Sequence, residues 1–363
     1  MSGEELEYVK QAFAGGYIAP IGPELTAFED LFREYTGIPH CVALSSGTAA
    51  MHLALHDIVK PGDEVFASTL TFIGSVSSIK HICAKPVYID SDRVSWNMDP
   101  NLLEEELNRC RKTNTLPAAV VPTDLYGQCS DLDAIKAICD PLEIPVIVDS
   151  AEAMGAQYKG KHAGDGAYAS IYSFNGNKII TTSGGGMLAS HNEELINRAR
   201  FLATQAREQF AWYQHEEVGY NYRMSNIVAA IGIGQLKALD DRVMRKREVF
   251  DRYVANLGKE PGITFMPEAD YGRCNRWLTV MEIDADKFGA SPDDIRLALD
   301  AQNIESRPVW KPMHMQPVFK DCRQVLSGVS ESQFEHGICL PSGTAMTDET
   351  IDRVTQLILS ARR

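Results

Sequence analysis

The chain has 363 residues, 44% of them hydrophobic and 23% charged, which is ample for a large globular core. Its net charge of −14 argues against a nucleic-acid partner, though not against a phosphorylated ligand held by a local basic group or a helix end. The eight cysteines form no CxxC pair, so neither a zinc site nor a disulfide framework is expected. No stretch approaches the roughly 20 apolar residues of a membrane span.

In chain order, residues 1–16 read as an acidic amphipathic helix rather than a signal peptide; with free thiols this points to the cytoplasm. A strand at 41–44 and a helix at 48–58 open a series of strand–helix units. The units continue as 64–67 with 72–82, 86–89 with 102–110, and 118–122 with 132–139. Strands at 145–148, 170–174 and 186–189 follow, the last two close together in sequence. Runs such as AAVVP and PVIVD are apolar on both faces, as a buried parallel sheet requires. A long helical segment spans 225–256, then a strand at 277–283, a helix at 292–301 and a final helix at 347–361. The pattern predicts an α/β protein: a large domain, 1–245, with a mostly parallel sheet, and a smaller C-terminal α/β domain, 246–363. Ligands of such sheets bind outside the carboxyl ends of the strands.

Three segments carry chemistry. In SSGTAAMHLAL a strand ends and a helix starts at Gly47 and Thr48, where free N–H groups and the helix dipole suit an anion; a plain Ser/Thr cap is the simpler alternative. In PVIVDSAEAMGA, Asp149 ends a fully apolar strand and needs a partner, such as a protonated pyridine nitrogen, a metal ion or a helix N-terminus. In YSFNGNKIITTSGGGML, Lys178 stands between a strand and a glycine run, among polar residues that suit a Schiff-base lysine, although most lysines in loops are merely solvated. Their order, Gly47–Thr48, then Asp149, Ser173 and Lys178, is what three separate strand ends would deliver to one site.

Taken together with TLTFIGS, DLYGQ, GYNYRMSNIVAAIGIGQL and RPVWKPMHMQPVF, these stretches resemble the DegT/DnrJ/EryC1/StrS family of sugar aminotransferases. The resemblance implies the fold type I (aspartate-aminotransferase-like) architecture and pyridoxal 5′-phosphate (PLP) as cofactor. On that basis Lys178 carries the cofactor and shuttles a proton, and Asp149 pairs with the pyridinium nitrogen. Phe72 stacks on the ring, while Gly47, Thr48 and Ser173 hold the phosphate. Asn221 reaches the phosphate of a neighbouring subunit's cofactor, which implies a homodimer with shared sites. Glu152 lies near the phenolic oxygen, where many members have glutamine. Lysine at 178 also points away from the branch of the family that removes oxygen from sugars, which has histidine there.

By the same resemblance, L-glutamate is the amino donor and a nucleotide-linked keto sugar the acceptor. The lysine loop and ATQAREQFAWYQHEEVGYNYR are most similar to enzymes that aminate a UDP-linked 4-keto-6-deoxy-N-acetylhexosamine, the precursor of bacillosamine used in protein glycosylation. GDP-perosamine synthases compete, but usually have Gly-Glu-Gly where this chain has Ser183-Gly184-Gly185, and a dTDP-linked keto sugar is a further alternative acceptor. Substrate contacts implied are Tyr17, Arg207, Tyr213, Arg223, Arg307 and His314. A PLP-binding regulator is disfavoured because no basic helix-turn-helix is evident, and a dinucleotide oxidoreductase because no G-x-G-x-x-G follows the first strand.

Overall fold

A computed structural model describes residues 1–362. Helices α1 (Glu5–Gly15) and α2 (Pro23–Thr36) come first, then β1 (His40–Leu44), α3 (Gly47–Leu55), β2 (Glu64–Ser68), α4 (Ile73–His81), β3 (Lys85–Ile89), α5 (Pro100–Thr113), β4 (Ala119–Val121), α6 (Leu132–Cys139) and β5 (Ile147–Asp149). A small hairpin, β6 (Gln157–Tyr158) and β7 (Lys161–His162), precedes β8 (Ala169–Ser173), β9 (Gly186–Ser190), α7 (Glu193–Ala203), α8 (Asn226–Lys237) and α9 (Leu239–Leu257). The remainder comprises β10 (Ile263–Phe265), β11 (Gly272–Arg273), β12 (Thr279–Ile283), α10 (Ala285–Phe288), α11 (Pro292–Asp300), β13 (Arg307–Pro308), β14 (Gln324–Val325), α12 (Val329–His336), β15 (Gly337–Leu340) and α13 (Asp348–Ser360).

Two four-stranded sheets, β1-β9-β8-β5 and β4-β2-β3-β14, are joined into one surface by parallel bridges from Val120 to Val146 and from Thr123 to Asp149. Pairing is parallel throughout except for β9, which runs against both β1 and β8. The alternation of side chains puts Val65, Ala67, Val121 and Ile147 into one apolar layer with α3 and α7, and Phe66, Val120, Val146 and Val148 into another with α5 and α6. Helices therefore cover both faces, which is why the strands are apolar on both. The second sheet, β10-β12-β15-β13, is wholly antiparallel and packs on α9, α11 and α13.

The segment expected as one helix over 225–256 is broken at Ala238, which leaves the helical conformation (φ −94°, ψ 6°). Gly232 in α8 is required by close packing: a Cβ there would stand 2.7 Å from the Phe28 ring of α2. No helix among the described residues is long and apolar enough to cross a membrane.

Candidate active site

The carboxyl ends of β1, β2, β5 and β8 lie at one edge, so Gly47, Phe72, Asp149 and Ser173 arrive there together. Because β9 is antiparallel, its first residue falls at the same edge: Gly186 is the register partner of both Leu44 and Ser173. A Cβ on Gly186 would collide with the backbone of Ser46 and Gly47, so glycine is what allows β9 to approach the start of α3. Ser46 caps α3 by accepting from Ala49 N at 3.0 Å, which leaves Thr48's hydroxyl and the earlier N–H groups turned to the cleft. Ser173 lines the same cleft.

Asp149 is buried at the floor. Its Oδ2 accepts from the Ser75 hydroxyl, and its Oδ1 accepts from Ala151 N at 3.0 Å. Ser75 in turn shares a hydrogen bond with the Thr71 hydroxyl (2.7 Å), which accepts from Thr123 Oγ1 at 2.9 Å. Burial raises the Asp149 pKa, opposed by the Ser75 bond and by the Lys178 charge. No cation bonds this carboxylate among the described residues, so a buried charge lies open to a cationic group from the cleft.

Lys178 comes from the loop between β8 and β9. That loop is pinned from two directions. Trp277 Nε1 donates to Asn177 O at 2.9 Å, and Thr181 N donates to Gln235 Oε1 of α8 at 3.1 Å. The tight turn is taken by Ser183, at φ 73°, rather than by the glycines after it. Lys178 Nζ, with a side chain only 9% exposed, lies 3.4 Å from Glu152 Oε1 and 4.3 Å from the Trp277 ring centre. Glu152 Oε2 accepts from Tyr126 N at 2.6 Å. Burial pushes the Glu152 carboxyl up to about 7, with the Lys178 charge pulling against it.

The cleft measures about 970 Å³, the upper part of the range for small-molecule sites. Of the residues expected at the site, Gly47, Thr48, Phe72, Asp149, Glu152, Ser173, Lys178 and Arg307 line it. The others lie elsewhere in this protomer. Arg223 turns inward: its Nη1 donates to Glu29 Oε1 and to Ala43 O, both at 2.6 Å, so its charge is taken up by a largely buried ion pair. His314 is held between Thr69 Oγ1 at 2.6 Å and Glu331 Oε1 at 3.1 Å. Tyr17, Tyr213 and Asn221 are exposed, and Arg207 sits over the Tyr213 ring at 4.2 Å. Residues that sequence reasoning passed over are Ser75, although it belongs to the TLTFIGS stretch, and Trp277, Trp310, Glu305 and Ser306 on the far wall. Two of the chain's four tryptophans thus stand in one cleft, a convergence that nothing in their sequence spacing announces.

Such a site, with a lysine beside a buried carboxylate and the start of a helix at the same sheet edge, fits a cofactor-dependent transferase on a doubly covered α/β sheet. The family model for DegT/DnrJ/EryC1/StrS aminotransferases matches residues 1–359, and the chain belongs to that family. EpsN of Bacillus subtilis (strain 168), assigned to the pyridoxal phosphate-dependent aminotransferases, is 48% identical over 99% of this chain and 93% of its own. GDP-perosamine synthase of Caulobacter vibrioides is 35% identical over 98% of this chain and 94% of its own. The PLP form of Spr1654 from Streptococcus pneumoniae, assigned as a sugar aminotransferase, superposes with a TM-score of 0.89 at 25% identity, covering 99% of this chain and 96% of that one. The protein is a PLP-dependent sugar aminotransferase of fold type I.

The residues present fit that cofactor. Asp149 offers a buried carboxylate that no cation hydrogen-bonds among the described residues, suited to a protonated pyridine nitrogen; the start of α3 with Ser173 offers an anion cradle; and Lys178 offers a primary amine in the same cleft.

Proposed function

We propose that this enzyme moves the amino group of L-glutamate to C4 of a UDP-linked 4-keto-6-deoxy-N-acetylhexosamine, as a homodimer in the cytoplasm. The observation that carries the chemistry is the placing of Lys178 and Asp149 in one cleft, with Glu152 3.4 Å from the lysine amine. The choice of sugar rests on the likeness of the lysine loop and of ATQAREQFAWYQHEEVGYNYR to enzymes of that specificity.

PLP supplies an aldehyde that captures amines and a ring that accepts electron density. The protein does the rest. Gly47, Thr48 and Ser173 would hold the phosphate. Asp149, oriented by Ser75, would pair with the protonated ring nitrogen. Phe72 would pack against the ring. Lys178 would hold the cofactor through its amine and would move a proton at the substrate carbon in each half-reaction. Glu152 stands beside the lysine amine and the position of the phenolic oxygen. Arg307, at the rim, is paired with Glu305 at 2.7 Å and supplies a cation for a substrate anion. L-Glutamate enters, leaves as 2-oxoglutarate, and the keto sugar then takes the amino group.

Asn221 is exposed and outside its own cleft, and so are Tyr17, Arg207 and Tyr213. These placements support roles at a neighbour's site rather than their own. Three GDP-perosamine synthases, 30–35% identical, favour a GDP-linked 4-keto-6-deoxy sugar as the second reading. Single-turnover amination of UDP-linked against GDP-linked 4-keto-6-deoxy sugars, by enzyme preloaded with glutamate, decides between them. Faster turnover of the GDP sugar rejects the UDP assignment.

A further inference from the structure

One wall of the cleft is aromatic. The Trp310 ring centre lies 5.0 Å from that of Tyr126, 5.7 Å from Phe72 and 6.3 Å from Trp277. The two tryptophans differ in what holds them. Trp277 is buried, gives its indole N–H to Asn177 O, and lays its face against Lys178. It is a wall for the lysine. Trp310 is partly exposed. Its backbone N–H donates to Tyr126 Oη at 3.1 Å, which fixes the main chain, while its indole N–H has no hydrogen-bond partner among the described residues. Its neighbour Phe72 is 57% exposed. A tryptophan with a partly open face and a spare donor, backed by Tyr126 and edged by Phe72, is built to meet a ligand that is apolar on one side and polar on the other.

The two substrates differ in this respect. Glutamate carries two carboxylates and no apolar face, and the negative face of an indole does not attract an anion. A 6-deoxy pyranose presents a face of C–H bonds and a methyl group, with oxygen atoms around its edge. We propose that Trp310 is the platform for the sugar ring: its face takes the pyranose C–H surface and its N–H reaches a sugar oxygen. Tyr126 and Phe72 hold its orientation. Arg307, three residues earlier and lining the same cleft, places a cation beside the platform for the nucleotide end. Trp310 then discriminates between the half-reactions, serving the sugar and not glutamate. The inference rests on the reading that the acceptor is a keto sugar.

The test uses PLP-loaded enzyme and follows each half-reaction separately in the cofactor's absorbance. The probes are L-glutamate and the UDP-linked 4-keto-6-deoxy-N-acetylhexosamine. For Trp310→Leu, the half-saturating sugar concentration is expected to rise roughly tenfold or more, with the glutamate half-reaction within about twofold of wild type. Trp310→Phe, which keeps a ring, is expected to recover most of that loss. Equal slowing of both half-reactions in both variants would show that Trp310 supports the lysine wall and overturn the proposal; so would an unchanged sugar half-reaction. If wild-type enzyme takes the amino group from glutamate but passes it to no keto sugar, the substrate reading fails and this proposal falls with it, an outcome separate from the other two.

Discussion

At the scale of single residues, two carboxyl groups decide the chemistry of the cleft. Burial raises the Asp149 pKa, and Ser75, a backbone N–H and the Lys178 charge hold it down. Ser75→Ala removes the opposing bond, so the acid limb of the pH–rate profile for the glutamate half-reaction is expected to move to higher pH, with the rate near neutrality falling roughly tenfold. Stopped-flow rates across pH check this; an unchanged profile would show that Ser75 does not orient Asp149. Glu152 makes a different prediction. Its folded value of about 7 lies above the ordinary 4.5, so the native state binds more protons between those values. Stability of the cofactor-free protein therefore falls as pH rises through that window. Glu152→Gln is expected to flatten the slope, and calorimetric Tm values between about pH 4.5 and 8 measure it. A slope that survives the substitution assigns the pH dependence to other groups.

At the scale of elements, the cleft depends on how closely β9 approaches the start of α3. Gly186→Ala would force the added methyl into the backbone of Ser46 and Gly47, so α3 must move and the anion cradle with it. The expected result is a loss of stability of roughly 1–3 kcal/mol and a much weaker hold on PLP, read by thermal unfolding with and without cofactor. Retained PLP affinity would mean that the cradle does not need this contact. Much of this level was legible in the sequence. The strand-end residues Gly47, Asp149 and Ser173 belong to local strand–turn patterns, and the short, helix-free connection between 174 and 186 left β8 and β9 close together. Helix α2 was passed over although it carries its own marks, Pro23 at its first position and Gly37 at φ 74° closing it. The break at Ala238 was hidden because no glycine or proline marks it in the local sequence. Trp277 and Trp310 reach the cleft from about a hundred residues beyond Lys178, and no spacing rule announces such a contact.

At the scale of the whole molecule, the uneven fate of the expected substrate contacts is informative. In this protomer Arg223 bonds Glu29, and His314 bonds Thr69 and Glu331. The Asn221 side chain makes no hydrogen bond among the described residues and is exposed, although its backbone bridges to Thr204. If it completes a neighbour's site, Lys178→Ala and Asn221→Ala chains, each nearly inactive alone, should complement when unfolded together and refolded. A random mixture of dimers has one intact site in each mixed pair, or about a quarter of wild-type activity. No recovery would place Asn221 outside a shared site.

The central claim is that Lys178 holds PLP and that glutamate supplies the amino group. The most direct measurement is the absorbance spectrum of purified protein with PLP, before and after L-glutamate, for wild type and Lys178→Ala. Wild type is expected to show a visible band from lysine-bound cofactor that glutamate removes, giving the spectrum of the aminated cofactor, and the variant no such lysine-bound band. A wild-type protein without that band, or a band that persists in Lys178→Ala, would contradict it.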